Sequence, residues 1–567
     1  MASSPPNPAP QQQAHVDGVE TQTPTPPSPR ARSRWARFLG ALHPTHAHSV
    51  FSATVVLMVS TFLSRIIGLL RVKYIVWLFG RGAQADAFNA AFVLPDMISY
   101  FLVGGAASIA FVTILTRYRE QDREAEGQRS LSVILTTMYL VLGAAIVLAE
   151  IFAPWYVRWW FNGFDPDKAA QCILLTRILL PAQLCFFAGG VFGSVLLVRR
   201  QFSVQAVAPL IYGLGPIVGG LLFVKHIGVS SLALGTVAGA ILGPFLLNWF
   251  FAHRAGTRYR ILLDWRDPGL REWVRLSLPL MAGVSLVTAD NWIIAHFAST
   301  IGGAVSLMSY AKQLFTAPMA MLAQAAGAAS MPFFASLWTR DRHYEFATGV
   351  ADSVSRVVSL GLLVASGMVA LGWPAIDLVF TGGRFSAADA RECSLYFVIF
   401  SVSMFLWSAQ AIYARAFYAA GNTFAPMVAS TIVTLVSLPI YNSLYHWRGA
   451  TGLALASDLG IALQTLTIAV LLHQRRMVSL ASLDYAEMGR CLLAALAGGA
   501  GAWSLAWGLG RLFRHHTALA ALRHARSWTD AIVLVAGVAV WILIAKWTLE
   551  ISGSALPRVV QRRLGMA

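Results

Sequence analysis

The chain has 567 residues, of which 57% are hydrophobic and only 12% charged, about half the charge fraction of a soluble globular protein. That balance excludes a string of water-soluble domains joined by polar linkers, the usual arrangement at this length. The net charge of +17 would suit nucleic acid, but the basic residues are scattered between apolar runs, where the positive-inside rule places them, so no nucleic-acid partner is expected.

In chain order, residues 1–49 come first. MASSPPNPAPQQQAHVDGVETQTPTPPSP is rich in Pro, Gln, Ser and Thr and reads as a disordered cytoplasmic tail. Arg30, Arg32, Arg34 and Arg37, with Trp35 among them, suit an anionic membrane surface. The first apolar run starts near Phe51 without a cleavage-like site after it, unlike a signal peptide.

Apolar runs then recur almost to the end of the chain. They predict helices near 51–79, 88–116, 131–160, 172–198, 205–224, 230–252, 275–299, 304–337, 352–380, 393–420, 424–445, 450–473, 487–512 and 529–550. Each is long enough to cross a hydrocarbon core of roughly 30 Å. The fold class is an all-α integral membrane protein with about 14 transmembrane helices. With the N-terminus inside, the cytoplasmic loops carry basic clusters such as Arg117, Arg119, Arg123 and Arg129, or Arg475 and Arg476. This places both termini on the cytoplasmic side of a bacterial inner membrane. The stretch with Arg511, Arg514, Arg523 and Arg526 runs against that pattern.

A repeat underlies the spans. LLVRRQFSVQAVAP (196–209) resembles IYARAFYAAGNTFAP (412–426), and GVSSLALGTVAGAIL (228–242) resembles GATGLALASDLGIAL (449–463). Pro209 and Pro426 lie 217 residues apart, Gly228 and Gly449 221 apart. Six spans separate the copies, so both have the same orientation. That predicts two six-helix lobes, 50–253 and 275–476, joined by a cytoplasmic linker at 254–274 and related by an axis along the membrane normal, with a cavity between them. Spans 13 and 14 and a basic tail (477–567) fall outside the repeat.

Ionisable groups at membrane depth are functional candidates, because they are costly unless they face a cavity or a partner. The first span holds Ser64, Arg65 and Arg71, with Lys73 beyond; Arg65 lies some 14 residues into the apolar run, too deep to snorkel easily. Asp86, at the mouth of the second span, is either a helix cap or the counter-charge of Arg65 or Arg71. Asp96 follows Pro95 and serves either the cavity lining or the proline kink. Asp290 and Asn291 interrupt the seventh span, Lys312 and Gln313 the eighth. Cations brought together from opposite lobes suit a phosphate or diphosphate. The four cysteines, Cys172, Cys185, Cys393 and Cys491, lie in or beside apolar segments without C-x-x-C spacing, and neither metal nor cofactor is expected. No P-loop, G-x-S-x-G or H-E-x-x-H is present, so the chain reads as a transporter rather than an enzyme, with an ion gradient or the membrane potential supplying energy.

SRIIGLLRVKYIVWLFGRGAQADAFNAAFVLPDM, VSLMSYAKQLFTAP and YARAFYAAGNTFAP resemble the MurJ (MviN) family, the lipid II flippases of the MOP exporter superfamily. The resemblance covers about residues 50–480. It implies a flippase for the lipid-linked diphosphate precursor of peptidoglycan, with Arg65 and Arg71 at the family's first-span arginines and Asp86 at its aspartate. It also implies membrane lipids and cell-wall synthesis proteins as partners, and a lipid tail held against spans 13 and 14. The chain departs from the family at Ser99 and Tyr100, where two arginines are usual, at Gly104 in place of a glutamate, and at Lys312–Gln313 in place of Asp-Arg. Three readings stay open: a lipid II flippase, a flippase for another polyprenyl-linked oligosaccharide, and a non-transporting membrane scaffold of cell-wall synthesis. A drug or cation antiporter of the same superfamily would want an acidic cavity instead.

Overall fold

Helices stand at all fourteen expected positions in the computed structural model, which describes residues 50–199, 201–515 and 526–557. The proline-rich tail, the 516–525 stretch and the basic end beyond residue 557 lie outside the described residues. The first span is α1 (Val50–Phe79). The second is broken into α2 (Ala83–Ala91), α3 (Val93–Ile98), a π turn (Ser99–Val103) and α4 (Gly104–Glu120). Then come α5 (Glu124–Trp160), α6 (Pro166–Leu179), α7 (Ala182–Val198), α8 (Phe202–Ile227) and α9 (Ser230–Ala240), which runs through a π turn (Ile241–Leu247) into α10 (Asn248–Arg254). The seventh span is split into α11 (Pro268–Ala282) and α12 (Leu286–Ala298). The eighth is α13 (Ala304–Met319), a π turn (Ala320–Gln324) and α14 (Ala325–Thr339). The rest follow as α15 (His343–Phe380), α16 (Ala387–Val402), α17 (Met404–Ala419), α18 (Phe424–Arg448), α19 (Ala450–Gln474), α20 (Tyr485–His515) and α21 (Arg526–Ile551).

Among the described residues nine helices are long and apolar enough to cross a membrane, and α16 with α17, bent by 45° at Ser403, makes a tenth. The remaining four positions are the first, second, seventh and eighth. They carry charges or breaks, which a helix tolerates at membrane depth only where it faces protein or water. The breaks have local causes. Pro244 lies inside one π turn, Pro318 just before another, and Pro95 inside α3; each removes a backbone donor and crowds the preceding turn.

Helix starts follow the sequence. Asp165 accepts from the Lys168 amide at 2.9 Å with Pro166 next, and Asp267 accepts from Leu270 at 3.0 Å with Pro268 next, which satisfies amides that the first turn leaves unpaired. Ser386 and Asp389 form a reciprocal capping box.

The repeated sequence has a repeated geometry. α8 ends at Gly228 with φ 56° and ψ −136°, and α18 ends at Gly449 with φ 58° and ψ −134°. Their amides donate to Val224 (3.0 Å) and Tyr445 (2.7 Å). In each copy the next helix doubles back against its predecessor through glycine: a Cβ on Gly219 would meet Ser231 O at 2.5 Å, and one on Gly452 would meet Leu444 O at 1.8 Å. At Gly449 the nearest neighbour of a Cβ is Ile301 Cδ1 at 3.6 Å, so only the backbone resists a side chain there. Gly449→Ala is therefore expected to cost about 1–3 kcal/mol, read as a lower unfolding temperature of the detergent-solubilised protein.

Helices α20 and α21 pack on each other and on α15. Trp541 pins them: its indole N–H donates to Ser366 Oγ at 3.0 Å, and its ring lies over Gly367 and Gly498. Away from such contacts the apolar side chains point outward, as Leu493, Leu496, Val535 and Trp547 do, and suit lipid rather than water.

Candidate functional site

Two adjoining cavities lie between the first six spans and the seventh and eighth. One, of about 520 Å³, is lined by Ser64, Arg65 and Arg71 of α1, Gln205 and Tyr212 of α8, and Gln313 and Thr316 of α13. The other, of about 350 Å³, is lined by Arg71, Asn89, Asp96, Tyr212, Trp292, Lys312 and Gln313 among others. Arg71, Tyr212, Gln313 and Thr316 line both and form the common wall of one polar vestibule. Seven of the residues singled out in the sequence thus meet: Ser64, Arg65, Arg71, Asp96, Asn291, Lys312 and Gln313.

Arg65 and Arg71 lie six residues apart on α1, close enough in helical phase to share a broad face. Among the described residues neither is ion-paired with a carboxylate. Arg71 shares a hydrogen bond with Tyr212. Asp96 is exposed to the vestibule, so of its two readings the cavity lining holds. Lys73 donates to Leu378 O at 3.5 Å, the last turn of α15, where carbonyls attract a cation. Gln313 donates to Ser309, whose hydroxyl donates to Asn89 Oδ1 at 3.1 Å, a polar chain from α13 to α2.

Two expectations need correction. Asp86 is not the counter-charge of the arginines. It is fully buried and lines neither cavity. Its carboxylate accepts from the Gly303 amide (2.8 Å), the Ser306 amide (3.0 Å) and the Ser306 hydroxyl (2.6 Å), and Lys168 lies 3.6 Å away. It caps a helix, but that helix is α13, 217 residues away. An unsatisfied helix N-terminus carries partial positive charge and also attracts a carboxylate. Asp290, in turn, does not face the vestibule. It is buried and accepts from Lys312 Nζ, the Tyr441 hydroxyl and the Ser457 hydroxyl (2.9 Å). Lys312 is therefore a paired cation at the vestibule edge, also 3.2 Å from Asn291 Oδ1 and 5.2 Å above the Phe400 ring.

The end of the bundle around Gly80 is closed. Arg81 binds Glu392 at 2.5 Å and Asp389 at 3.4 Å and donates to Gly302 O at 3.0 Å. Tyr310 donates to Gly80 O (3.0 Å), and the Arg384 amide to Trp77 O (3.1 Å). With Asp86 these contacts tie residues 77–86 to residues 302–392 and seal the vestibule on that side.

At the opposite end Arg117 pairs with Glu272 through both guanidinium nitrogens and holds that carboxyl below the ordinary range, chiefly by hydrogen bonding. Here α11 packs on α4 and α5, whereas α12 packs on α18, α19 and α13. The break between them is held from both sides. The Tyr100 hydroxyl donates to Gly283 O (2.9 Å) and accepts from the Ser285 amide (3.4 Å). Thr431 accepts from the Val284 amide (3.0 Å), and Thr434 donates to Val284 O (3.2 Å). The position that departs from the resembled motif as a tyrosine thus satisfies backbone groups of a broken helix.

Several residues of the site were not singled out in the sequence: Tyr212, Asn89, Thr316, Lys168, Tyr441, Ser457 and Asp458. For the last two a signal existed. In the aligned repeat Ser457–Asp458 stands opposite Thr236–Val237, so the carboxylate belongs to the second copy alone. Among the described residues no cluster of His, Cys, Asp and Glu could hold a metal ion.

A family profile described as lipid II flippase MurJ matches residues 75–548. A probable lipid II flippase MurJ of Haemophilus influenzae is 29% identical over 473 residues, covering 78% of this chain and 90% of its own. One of Vibrio cholerae is 25% identical over 430 residues, covering 73% and 81%. In structure the chain is similar to a lipid II flippase MurJ in an inward closed conformation (TM-score 0.70, 18% identity, 88% of this chain and 99% of that one). It also resembles an inward-facing multidrug-resistance MATE transporter of the MOP superfamily (TM-score 0.61, 14% identity, 72% and 94%). With a profile matched over most of its length and a multi-pass helical fold shared with these structures, the chain belongs to the MurJ family of lipid II flippases.

Proposed function

We propose that the protein moves lipid II across the membrane by alternating access, with its diphosphate bound in the vestibule by Arg65 and Arg71. The observation that carries this reading is the pair of guanidinium groups that, among the described residues, have no carboxylate partner and stand on the wall of a polar cavity. Unpaired cations at that depth are costly, and a diphosphate offers both of them charge-assisted, bidentate bonds. Lobes at 50–253 and 275–476 rock about the vestibule; the Gly80 end opens outward, and both termini stay in the cytoplasm. The lipid tail lies along α20 and α21, whose outward faces are apolar. An ion gradient or the membrane potential supplies the energy, and surrounding lipids and cell-wall synthesis proteins are its partners.

A second reading is favoured by Tyr100 and Gln313, which stand where the resembled motif has arginine: a flippase for another polyprenyl-linked oligosaccharide. Rescue of a strain depleted of its lipid II flippase separates the two. The expected result is restored growth with the chain present in the membrane. No rescue at normal membrane abundance would exclude lipid II as the substrate and leave the second reading.

A further inference from the structure

Among the described residues Asp96 is the one carboxylate that lines the vestibule. It stands on α3, in the broken stretch of the second span, where its amide donates to Phe92 O at 2.9 Å. Its side chain is exposed to the smaller chamber, whose wall it shares with Arg71, Asn89, Asn291, Lys312 and Gln313. Among the described residues no cation pairs with that carboxylate and no group donates a hydrogen bond to it. The cations nearby are engaged elsewhere: Lys312 with Asp290, Arg71 with Tyr212. Tyr212 lies within electrostatic reach of both Arg71 and Asp96, on the wall that the two chambers share. Arg65 lines the larger chamber and Asp96 the smaller. The vestibule is therefore two-ended, cationic along α1 and anionic at α3.

We propose that Asp96 binds a primary ammonium group carried by the headgroup of the transported lipid, and so determines which headgroups the vestibule accepts. The inference rests on the reading that a lipid-linked diphosphate binds at Arg65 and Arg71, and it names the chemistry at the other end of that ligand. An unpaired carboxylate at membrane depth is costly until a cation reaches it. An ammonium supplies three N–H donors and a full charge, and its bonds to a carboxylate are charge-assisted. Between the two charged ends, the side-chain amides of Asn89, Asn291 and Gln313 offer further hydrogen bonds to sugar or peptide groups. The same carboxylate repels phosphate, which confines the diphosphate to the arginine end and gives the headgroup one orientation. A headgroup whose amine is acylated leaves Asp96 without a cation and is bound less tightly.

The test is binding of short-chain, lipid-linked diphosphates to the detergent-solubilised full-length protein. One pair of probes carries a saccharide–peptide headgroup whose peptide lysine is free or Nε-acetylated; in a second pair the amine of the sugar is free or N-acetylated. The wild type is expected to bind the free-amine member of one pair roughly tenfold more tightly, and the pair that shows the preference places the ammonium on peptide or sugar. Asp96→Asn, isosteric but uncharged, is expected to lose that preference while binding the acetylated member as the wild type does. Asp96→Glu keeps the charge and is expected to keep part of the preference; it reads the site if Asp96→Asn fails to fold. Arg71→Ala is expected to weaken both members of a pair alike and leave their ratio unchanged. Equal affinity of the wild type for both members of both pairs, or a preference that survives Asp96→Asn, would overturn the assignment and leave the diphosphate reading intact. No binding of any probe by the wild type would overturn the diphosphate reading and this inference with it.

Discussion

Arg65→Ala and Arg71→Ala are each expected to abolish rescue of a flippase-depleted strain while leaving the chain in the membrane. Each guanidinium is expected to contribute about 1.5–3 kcal/mol in total to diphosphate binding through charge-assisted bonds. Losing one arginine therefore costs roughly a tenfold to hundredfold in affinity, since every 1.4 kcal/mol is about a factor of ten. The fold should tolerate the change, because among the described residues no carboxylate depends on either arginine. Arg65→Lys keeps the charge but not the planar fork, so partial loss is expected. Growth at normal membrane abundance is the readout. Full rescue by Arg65→Ala would rule out a diphosphate held in the vestibule.

Asp86→Ala is expected to damage the fold itself. It would leave Lys168 buried without its carboxylate and strip the Gly303 and Ser306 amides of their acceptor. Breaking one side of a buried pair costs about 3–5 kcal/mol. The expected result is a marked fall in unfolding temperature together with lost rescue, because the same contacts close the Gly80 end. Part of that cost is the orphaned ammonium. Adding Lys168→Met to Asp86→Ala should recover some stability, and this non-additivity is the signature of the pair. An unchanged unfolding temperature in Asp86→Ala would mean that the contact to α13 carries no weight.

The helices were legible because apolar length is a strong signal, and the boundaries fell within a few residues at α18 and α19. The arginines of α1 were legible because a deep charge stands out against its apolar neighbours. Partnerships were not. Matching Asp86 to the arginines assumed that formal charges find each other, whereas its partners are backbone amides of a helix more than 200 residues on. Lys312 was legible as a cation brought into the interior, but not as the partner of Asp290, which lies on another helix, and Tyr441 and Ser457, which complete that site, look like routine polar substitutions in apolar runs. Tyr100 was visible only as a departure. What it does, holding backbone groups at Gly283 and Ser285, depends on a break in α11–α12 that no periodicity announces.

That break makes the seventh span two levers on one pin. The α11 lever packs mainly on α4 and α5, the α12 lever on α18 and α19, so a swing of one bundle against the other would turn about residues 283–285. The pin is machined tightly: a Cβ on Gly283 would run into Met427 at 1.9 Å. The backbone groups of residues 283–285 are gripped by Tyr100 on one side and by Thr431 and Thr434 on the other. Slack at this joint would let each bundle move without the other, and the stroke would be lost.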